Sequence, residues 1–364
     1  MTVPRLTLES ARIRPVVVPL ERPIVSRVGR FDAWPLVLID VRTREGVVGR
    51  SYLEPYLARA VRYLVPMLED LAAAMQGQPL APLDAFARMM GSQHLIGREG
   101  LTMIATSGLD MAAWDALAHA AGLPLCVLLG GTTGSVPAYN SNGLWLTPVE
   151  SLADEAAALV AEGGFSALKL RLGRERLDDD RAAIAEVRRG AGADVKLMCD
   201  FNQGLSLSDA IARCHALDDA GLDWFEEPVA YDNLAGYAQL ARELATPVQL
   251  GENFYGPRAL SVALRAGAGD LVMPDLMRIG GVTGWMRAAA IAGAAGIPVS
   301  THLYPETAAH LMRVTETAHW LEWQDWADPI LEAPFEIAHG RLVVPDRPGA
   351  GITWNEEAVA RYAA

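Results

Sequence analysis

Seven short apolar runs in this chain end on side chains that can bind, hold or move charge: Lys169 and Arg171, Asp200 and Asn202, Glu226 and Glu227, Glu252 and Asn253, Asp275, His302, and Glu322. Any one of these serves equally well as a helix cap or a loop ion pair. Consecutive runs that each deliver an ionisable group are harder to explain that way, because carboxylates gathered at one mouth repel and need a cation. Asp200, Glu226 and Glu252 follow one another at intervals of 26 residues, so adjacent elements would converge three carboxylates. Three oxygen donors suit a hard divalent ion, Mg²⁺ first and Mn²⁺ second, and the thiolates or histidines of a zinc site are missing from the pattern. Asp275 and His302 end the next two runs and read as a dyad, the carboxylate orienting the imidazole and raising its basicity as a general base. Lys169 offers a cation on the other side. Taken singly, His302 reads as a core histidine, and Lys169 and Arg171 as the solvated end of a strand; the joint pattern favours chemistry.

The elements that must carry these residues are rhythmic. VPAYN (136–140), SALKLR (166–171), VKLMCD (195–200), DWFEE (223–227), VQLGE (248–252), LVMPD (271–275), PVSTH (298–302) and HWLE (319–322) alternate with helical stretches such as 151–162, 178–189 and 207–220. Repeated strand–helix units predict a parallel sheet with helical crossovers, and eight of them predict a TIM-type (β/α) barrel whose strand ends hold the site. The first 130 residues look different: two β-branched runs, the second interrupted by the turn residues Arg44, Glu45 and Gly46, then helices over 56–75, 82–90 and 101–121. The expected organisation is an α+β capping domain over 1–130 with a lid loop at about 20–35, the barrel over 131–330, and a segment over 331–364 that completes the capping domain.

Charge and composition exclude several function classes. The chain has 31 Lys and Arg against 44 Asp and Glu, a net charge of −13, which disfavours nucleic acid or an anionic membrane as partner. Three cysteines without a CxxC pair and no apolar leader fit a reduced, cytoplasmic protein. The uncharged stretch 288–305 is alanine-rich and broken by glycine and proline, so it reads as a buried helix and strand rather than a membrane span. Gly280 to Gly284 lacks the spacing of a nucleotide loop and reads as loop geometry before a helix. Trp320, Trp323 and Trp326 read as packing around the barrel end.

The strings KLR, MCDFNQ, WFEEP, LGENF, MPDLMRIGGVTGW, STHLYPE and AHWLE, in this order, resemble the mandelate racemase subgroup of the enolase superfamily. VPLERPIVSRVGRF, PLVLIDVRTREGVVGRSYL and GLDMAAWDALAH extend the resemblance into the first half. It implies Asp200, Glu226 and Glu252 as magnesium ligands and His302 with Asp275 as the base on one face of the substrate. It further implies that Lys169 and Ser141 contact the substrate carboxylate, that Asn202 lies near its hydroxyl, and that Glu322, as a protonated acid, hydrogen-bonds the developing enediolate. Ile24, Val28 and Phe31 match apolar lid positions that pack on an aromatic ring. Arg22, Arg27 and Arg30 interleave with them, either as a solvated basic edge or as a contact to a second polar or anionic group. A small-molecule 2-hydroxycarboxylate as partner and a homo-oligomeric assembly are also implied.

One departure matters. Where the subgroup's racemase pattern is Lys-x-Lys, this chain has Arg171 in place of the second lysine, the base for the opposite face. An arginine holds its proton so firmly that roughly one molecule in 10⁵–10⁶ is neutral near pH 7, so reaching that base costs about 7–8 kcal/mol. The expected function is metal-dependent abstraction of the α-proton of a 2-hydroxycarboxylate through an enediolate. Whole-chain likeness, lid included, favours a racemase-like isomerase. Arg171 favours the alternative, an acid-sugar dehydratase with His302 as sole base. A non-catalytic relative that only binds metal and ligand is disfavoured by the intact dyad. The net negative charge does not forbid an anionic substrate, since a metallated mouth with Lys169 and Arg171 beside it is locally positive.

Overall fold

The β-branched runs at the start of the chain form an antiparallel meander, Leu8–Ser26, Gly29–Thr43 and Val48–Leu53, in that order across the sheet. The computed structural model describes residues 5–364. The first turn is the lid tip at Arg27 and Val28. The second is closed by Gly46, at φ 84°, whose N–H donates to the Thr43 carbonyl at 3.0 Å. Helices Val61–Met75, Pro82–Ser92 and Leu101–Ala121 follow. The first begins five residues later than the helical pattern predicts, because Tyr56 takes a left-handed φ of 60° after Pro55 and a 3₁₀ turn, Ala58–Ala60, intervenes.

The long helix Leu101–Ala121 is buried on nearly all sides, and it lies against the sheet where Gly49 leaves room. A Cβ on Gly49 would sit 2.1 Å from the Ala112 carbonyl oxygen and 2.6 Å from the Ala116 nitrogen, both backbone atoms that cannot swing aside. Gly49→Ala is therefore expected to destabilise the fold by about 1–3 kcal/mol, read as a lower urea midpoint at unchanged slope. An unchanged midpoint would mean that the sheet and helix separate more freely than this contact implies.

The rhythmic part closes into a barrel. Strands Ser135–Asn140, Ala167–Arg171, Lys196–Asp200, Phe225–Glu226, Val248–Leu250 and Leu271–Val272 pair in parallel sequence. Val272 bridges to Val299, Val299 bridges to Ala318, and Leu321–Trp323 pairs back onto the first strand. Each of the eight predicted runs thus contributes one position to the ring, several of them only two or three residues long. Tyr139, Ala167, Met198, Trp224 and Leu271 fill the barrel below the mouth, as expected where inward residues alternate along each strand. The stretch 288–305 is the end of the helix Gly281–Ala295, the bridge at Val299 and the start of the helix Pro305–Met312. No helix among the described residues is long and apolar enough to cross a membrane.

The last segment serves both halves. The hairpin Glu336–Ala338 and Arg341–Val343 adds antiparallel to the first barrel strand. Beyond it the chain returns to the opening sheet, where Val17 N–H donates to the Tyr362 carbonyl at 2.9 Å. Buried side chains also join the two halves. Asp110 accepts from the Thr283 amide at 2.9 Å and its hydroxyl at 2.6 Å, and the Trp114 indole donates to the same hydroxyl at 2.9 Å.

Candidate active site

A cavity of about 420 Å³ opens at the C-terminal ends of the barrel strands, under the lid. Its floor is polar: Lys169, Arg171, Asp200, Asn202, Glu252, His302 and Glu322 reach it. Its walls come from the first half, with Ile24, Val28, Phe31, Trp34, Leu57 and Leu64 among them. A larger groove of about 710 Å³ lies between Phe86, Met103, Tyr231 and Val262, but it meets none of the strand-end acids or bases beyond Asn253.

Lys169 is at the centre of the floor, 1% exposed. Its Nζ lies 2.6 Å from Glu226, 2.7 Å from Glu322 and 3.7 Å from Asp200. Burial works against its charge, but the carboxylates outweigh it and hold the ammonium well above its ordinary range. One ammonium does not satisfy both partners. Burial raises both acids; Glu226 stays raised, with Asp200 and Glu322 adding to it against Lys169. Glu322 goes the other way, because Lys169, His302 and Arg171 together overcome its burial and hold it ionised. In this arrangement it is an acceptor, taking bonds from Ser141 Oγ at 2.8 Å and from the Leu303 amide at 3.0 Å.

His302 and Asp275 do meet. Nδ1 of His302 lies 2.7 Å from Asp275 Oδ2, while Asp275 Oδ1 caps the short helix Leu276–Ile279 by accepting from the Met277 and Arg278 amides at 2.8 and 3.2 Å. The cap fixes the carboxylate, which in turn fixes the ring. Nε2 faces the cavity floor, 3.2 Å from Glu252 Oε2. Burial lowers the imidazole's affinity for a proton, but Glu252, the Asp275 bond and Glu322 prevail and push it up to about 10.

Asp200, Glu226 and Glu252 all stand at the mouth, together with Glu227. Among the described residues no three of these side chains already form a closed metal cage; Glu226 is drawn onto Lys169 and Glu252 onto His302. The donor chemistry nonetheless fits a hard divalent ion. Glu227 is 1% exposed, its only side-chain partner among the described residues is the Asn253 amide at 3.2–3.3 Å, and burial with Glu252, Asp200 and Glu226 nearby raises it well above the carboxylate range. Negative charge in excess of local cations is what a dication would relieve. Asn202 holds Asp200 through its amide group at 2.8 Å and its backbone N–H at 2.7 Å.

Arg171 is fixed in place by its neighbours. Its guanidinium lies over the Trp145 ring at 4.0 Å, donates to Ser141 Oγ at 2.8 Å, and reaches the carbonyls of Ser141, Gly143 and Lys169 at 3.3–3.5 Å. Ser141, expected against the substrate, is fully buried and stands behind Arg171 and Glu322 rather than on the cavity wall. The three lid arginines do not reach the wall either. Arg22 pairs with Glu162, Arg27 donates to the Gly204 carbonyl at 3.3 Å, and Arg30 pairs with Asp32 at 2.7 Å, so two of them tie the lid to the barrel.

Several residues at the cavity carry no earlier assignment. Trp326, expected as packing, lines the wall, as do Trp34, Tyr56 and Arg278. Arg278 lies over the Tyr56 ring at 4.7 Å and donates to the Glu252 carbonyl at 2.9 Å, so it links the first half to the floor. Its position three residues after Asp275 was the available signal: a helix N-capped by Asp275 turns that side chain back toward the mouth.

Two family models match the chain: "Mandelate racemase / muconate lactonizing enzyme, N-terminal domain" over residues 9–130 and "Enolase C-terminal domain-like" over residues 151–358. The crystal structure of an enolase from alpha proteobacterium BAL199 with bound Mg is 57% identical, with a TM-score of 0.97 over 99% of this chain and 100% of that one. An enolase from Bradyrhizobium, complexed with magnesium and mandelic acid, is 41% identical, with a TM-score of 0.95 and full coverage of both chains. L-talarate/galactarate dehydratase from Salmonella typhimurium is 30% identical over 326 residues, 89% of this chain and 81% of its own length.

Proposed function

The chain belongs to the mandelate racemase / muconate lactonizing enzyme family of the enolase superfamily, and from that premise we propose that it abstracts the α-proton of a 2-hydroxycarboxylate bearing an apolar, aryl-type group. The observation that carries the substrate class is the contrast within one cavity, a charged floor beneath walls of Ile24, Val28, Phe31, Trp34, Leu57 and Trp326. Hydroxyls that a polyhydroxy acid turned toward these side chains would be left unpaired, while Gln203, Asn253, Arg278 and Gln324 line other parts of the cavity. The mandelic acid bound by the 41% identical relative supports the same class.

In this reading Asp200, Glu226 and Glu252 hold a divalent ion, Mg²⁺ as in the related structures. When bound, it supplies Lewis-acid polarisation of the substrate carboxylate. Lys169 sets a second positive charge beside the developing enediolate, and Glu322 is held next to it through Lys169 and Ser141. Asp275 accepts a hydrogen bond from Nδ1–H of His302, which leaves Nε2 as the base facing the floor. Asn202 orients Asp200, and Ser141 orients Arg171 and Glu322. Ile24, Val28 and Phe31 close over the distal group.

The favoured outcome is racemisation or a related isomerisation. An aryl acid without a β-hydroxyl has no leaving group for dehydration. The dehydratase reading survives on Arg171, which gives up a proton far less readily than the lysine of the racemase pattern and so favours His302 as sole base. Incubation of a panel of 2-hydroxy acids with Mg²⁺ in D₂O tests the proposal. Loss of the α-proton signal of aryl acids with inversion is expected. Formation of 2-keto acid from sugar acids would instead establish the dehydratase, and no exchange with any acid would overturn the enzymatic reading. Arg171→Lys restores a tunable amine on the opposite face and is expected to raise the ratio of inversion to simple exchange by about tenfold or more. An unchanged or lower ratio would show that the arginine is not what limits the second face.

A further inference from the structure

Trp34 is the hub of an aromatic cluster in the cavity wall. Its ring centroid lies 6.0 Å from that of Phe31, 5.4 Å from Tyr56 and 4.5 Å from Trp326, the first two edge-on and the third tilted. All four rings line the cavity. An indole differs from a phenyl ring in having one polar edge, and a buried N–H left without an acceptor destabilises whichever rotamer exposes it to apolar surroundings. Trp34 is 2% exposed, and its Nε1 donates to Glu54 Oε2 at 2.5 Å.

Glu54 is itself 3% exposed and, among the described residues, pairs with no lysine or arginine. It ends the strand Val48–Leu53, and its backbone N–H donates to the Tyr304 hydroxyl at 2.9 Å, two residues beyond His302. A buried carboxyl without a cation is costly, so an apolar residue would be favoured here if packing were the only demand. What the carboxyl supplies is a single fixed acceptor, anchored through its backbone to the barrel loop that carries the base. We infer that Glu54 is a positioning residue for substrate recognition, locking the Trp34 indole so that the Phe31, Trp34, Tyr56 and Trp326 rings present one preformed surface to the distal aromatic ring of the substrate. The inference rests on the aryl reading above.

The protonation of Glu54 fits this role. Burial, opposed by the Trp34 donor and reinforced by Asp275 and Glu306, pushes its carboxyl up to about 8, so it is mainly a neutral acid at pH 7. Glutamine is then a close mimic: it keeps an oxygen acceptor, a donor and the length of the side chain. Leucine removes the acceptor and keeps the volume.

The test compares wild type, Glu54→Gln and Glu54→Leu as full chains loaded with Mg²⁺, following deuterium exchange on mandelate and on lactate, which has the same reacting carbon and no ring. Glu54→Leu is expected to raise KM for mandelate about tenfold with kcat within about threefold, to leave lactate unaffected, and to be rescued by glutamine. Tryptophan-labelled protein gives a readout without turnover. The indole N–H signal of Trp34, assigned with Trp34→Phe, should keep its hydrogen-bonded shift in the glutamine variant and lose it in the leucine variant. Should Glu54→Leu not fold, Trp34→Phe with Glu54→Leu removes donor and acceptor together and should show the same mandelate penalty.

Equal effects on mandelate and lactate, a fall in kcat alone, or an unchanged mandelate KM after loss of the indole signal would each overturn the role of Glu54. A wild-type enzyme that does not prefer mandelate to lactate would overturn the aryl reading and this inference with it. A wild-type preference that survives in Glu54→Leu would overturn the inference alone.

Discussion

His302→Asn is expected to cut α-proton exchange by about 10²–10⁴-fold, the range over which a positioned general base contributes. The substitution is chosen for its geometry. An asparagine amide can still donate toward Asp275 Oδ2, which now lies 2.7 Å from Nδ1, so the helix cap on Asp275 need not rearrange. What disappears is Nε2, the ring nitrogen that faces the cavity floor beside Glu252. If His302 acts alone, both enantiomers of an accepted acid should lose exchange together. If a second base acts from the Arg171 side, only the enantiomer whose α-proton faces His302 should be silenced. Proton NMR in D₂O on each enantiomer separates these outcomes. Retention of a tenth or more of wild-type exchange on both enantiomers would remove His302 from the role of base. Asp275→Asn should produce a smaller but still large loss, because an amide in that place can present its NH₂ to Nδ1 and favour the wrong tautomer.

The floor of this site was legible in the strand pattern, whereas of the walls only Ile24, Val28 and Phe31 were expected, and those from the family resemblance, for a physical reason. A barrel strand is an apolar run whose last inward side chain emerges at the mouth, so Lys169, Asp200, Glu226, Glu252, Asp275, His302 and Glu322 announce themselves by type and interval. Wall residues obey no such rule. Tyr56 looks like the start of a helix until its φ of 60° turns it back under the lid. Trp326 shares a three-residue spacing with Trp320 and Trp323, yet only Trp326 reaches the cavity, meeting Trp34 from the other end of the chain. Glu227 follows Glu226 and by strand alternation should face away, but the strand ends at Glu226 and a φ of 39° folds Glu227 in among the other acids. Ser141 shows the converse: its neighbours in sequence place it near the site, while Arg171, longer than the lysine of the racemase pattern, takes its hydroxyl and keeps it behind the wall. Such placements depend on contacts between distant parts of the chain, which local pattern does not encode.

Removing the divalent metal with EDTA is expected to abolish exchange and to leave His302 protonated up to about pH 10. The sign follows from the neighbours of the ring. Burial alone would push the imidazole below its ordinary value, yet Glu252 at 3.2 Å, the bond to Asp275 and the charge of Glu322 reverse that and hold the proton on. A protonated imidazole has no lone pair with which to take a substrate proton, so the metal-free protein lacks its base across the neutral range. Glu252 is also one of the three carboxylates proposed to hold Mg²⁺, and each positive charge placed on it weakens its hold on the imidazolium. Saturation with Mg²⁺ should therefore bring the His302 titration down toward the neutral range as exchange appears. Nitrogen-15 NMR of histidine-labelled protein between pH 5 and 11, with and without Mg²⁺, reads both states directly. Glu252→Gln supplies the control: without the carboxylate, His302 should titrate lower even in the metal-free protein, while Mg²⁺ affinity and exchange are both lost. A metal-free His302 already titrating near 6.5, or a midpoint that does not move when Mg²⁺ saturates, would show that Glu252 does not couple the metal to the base.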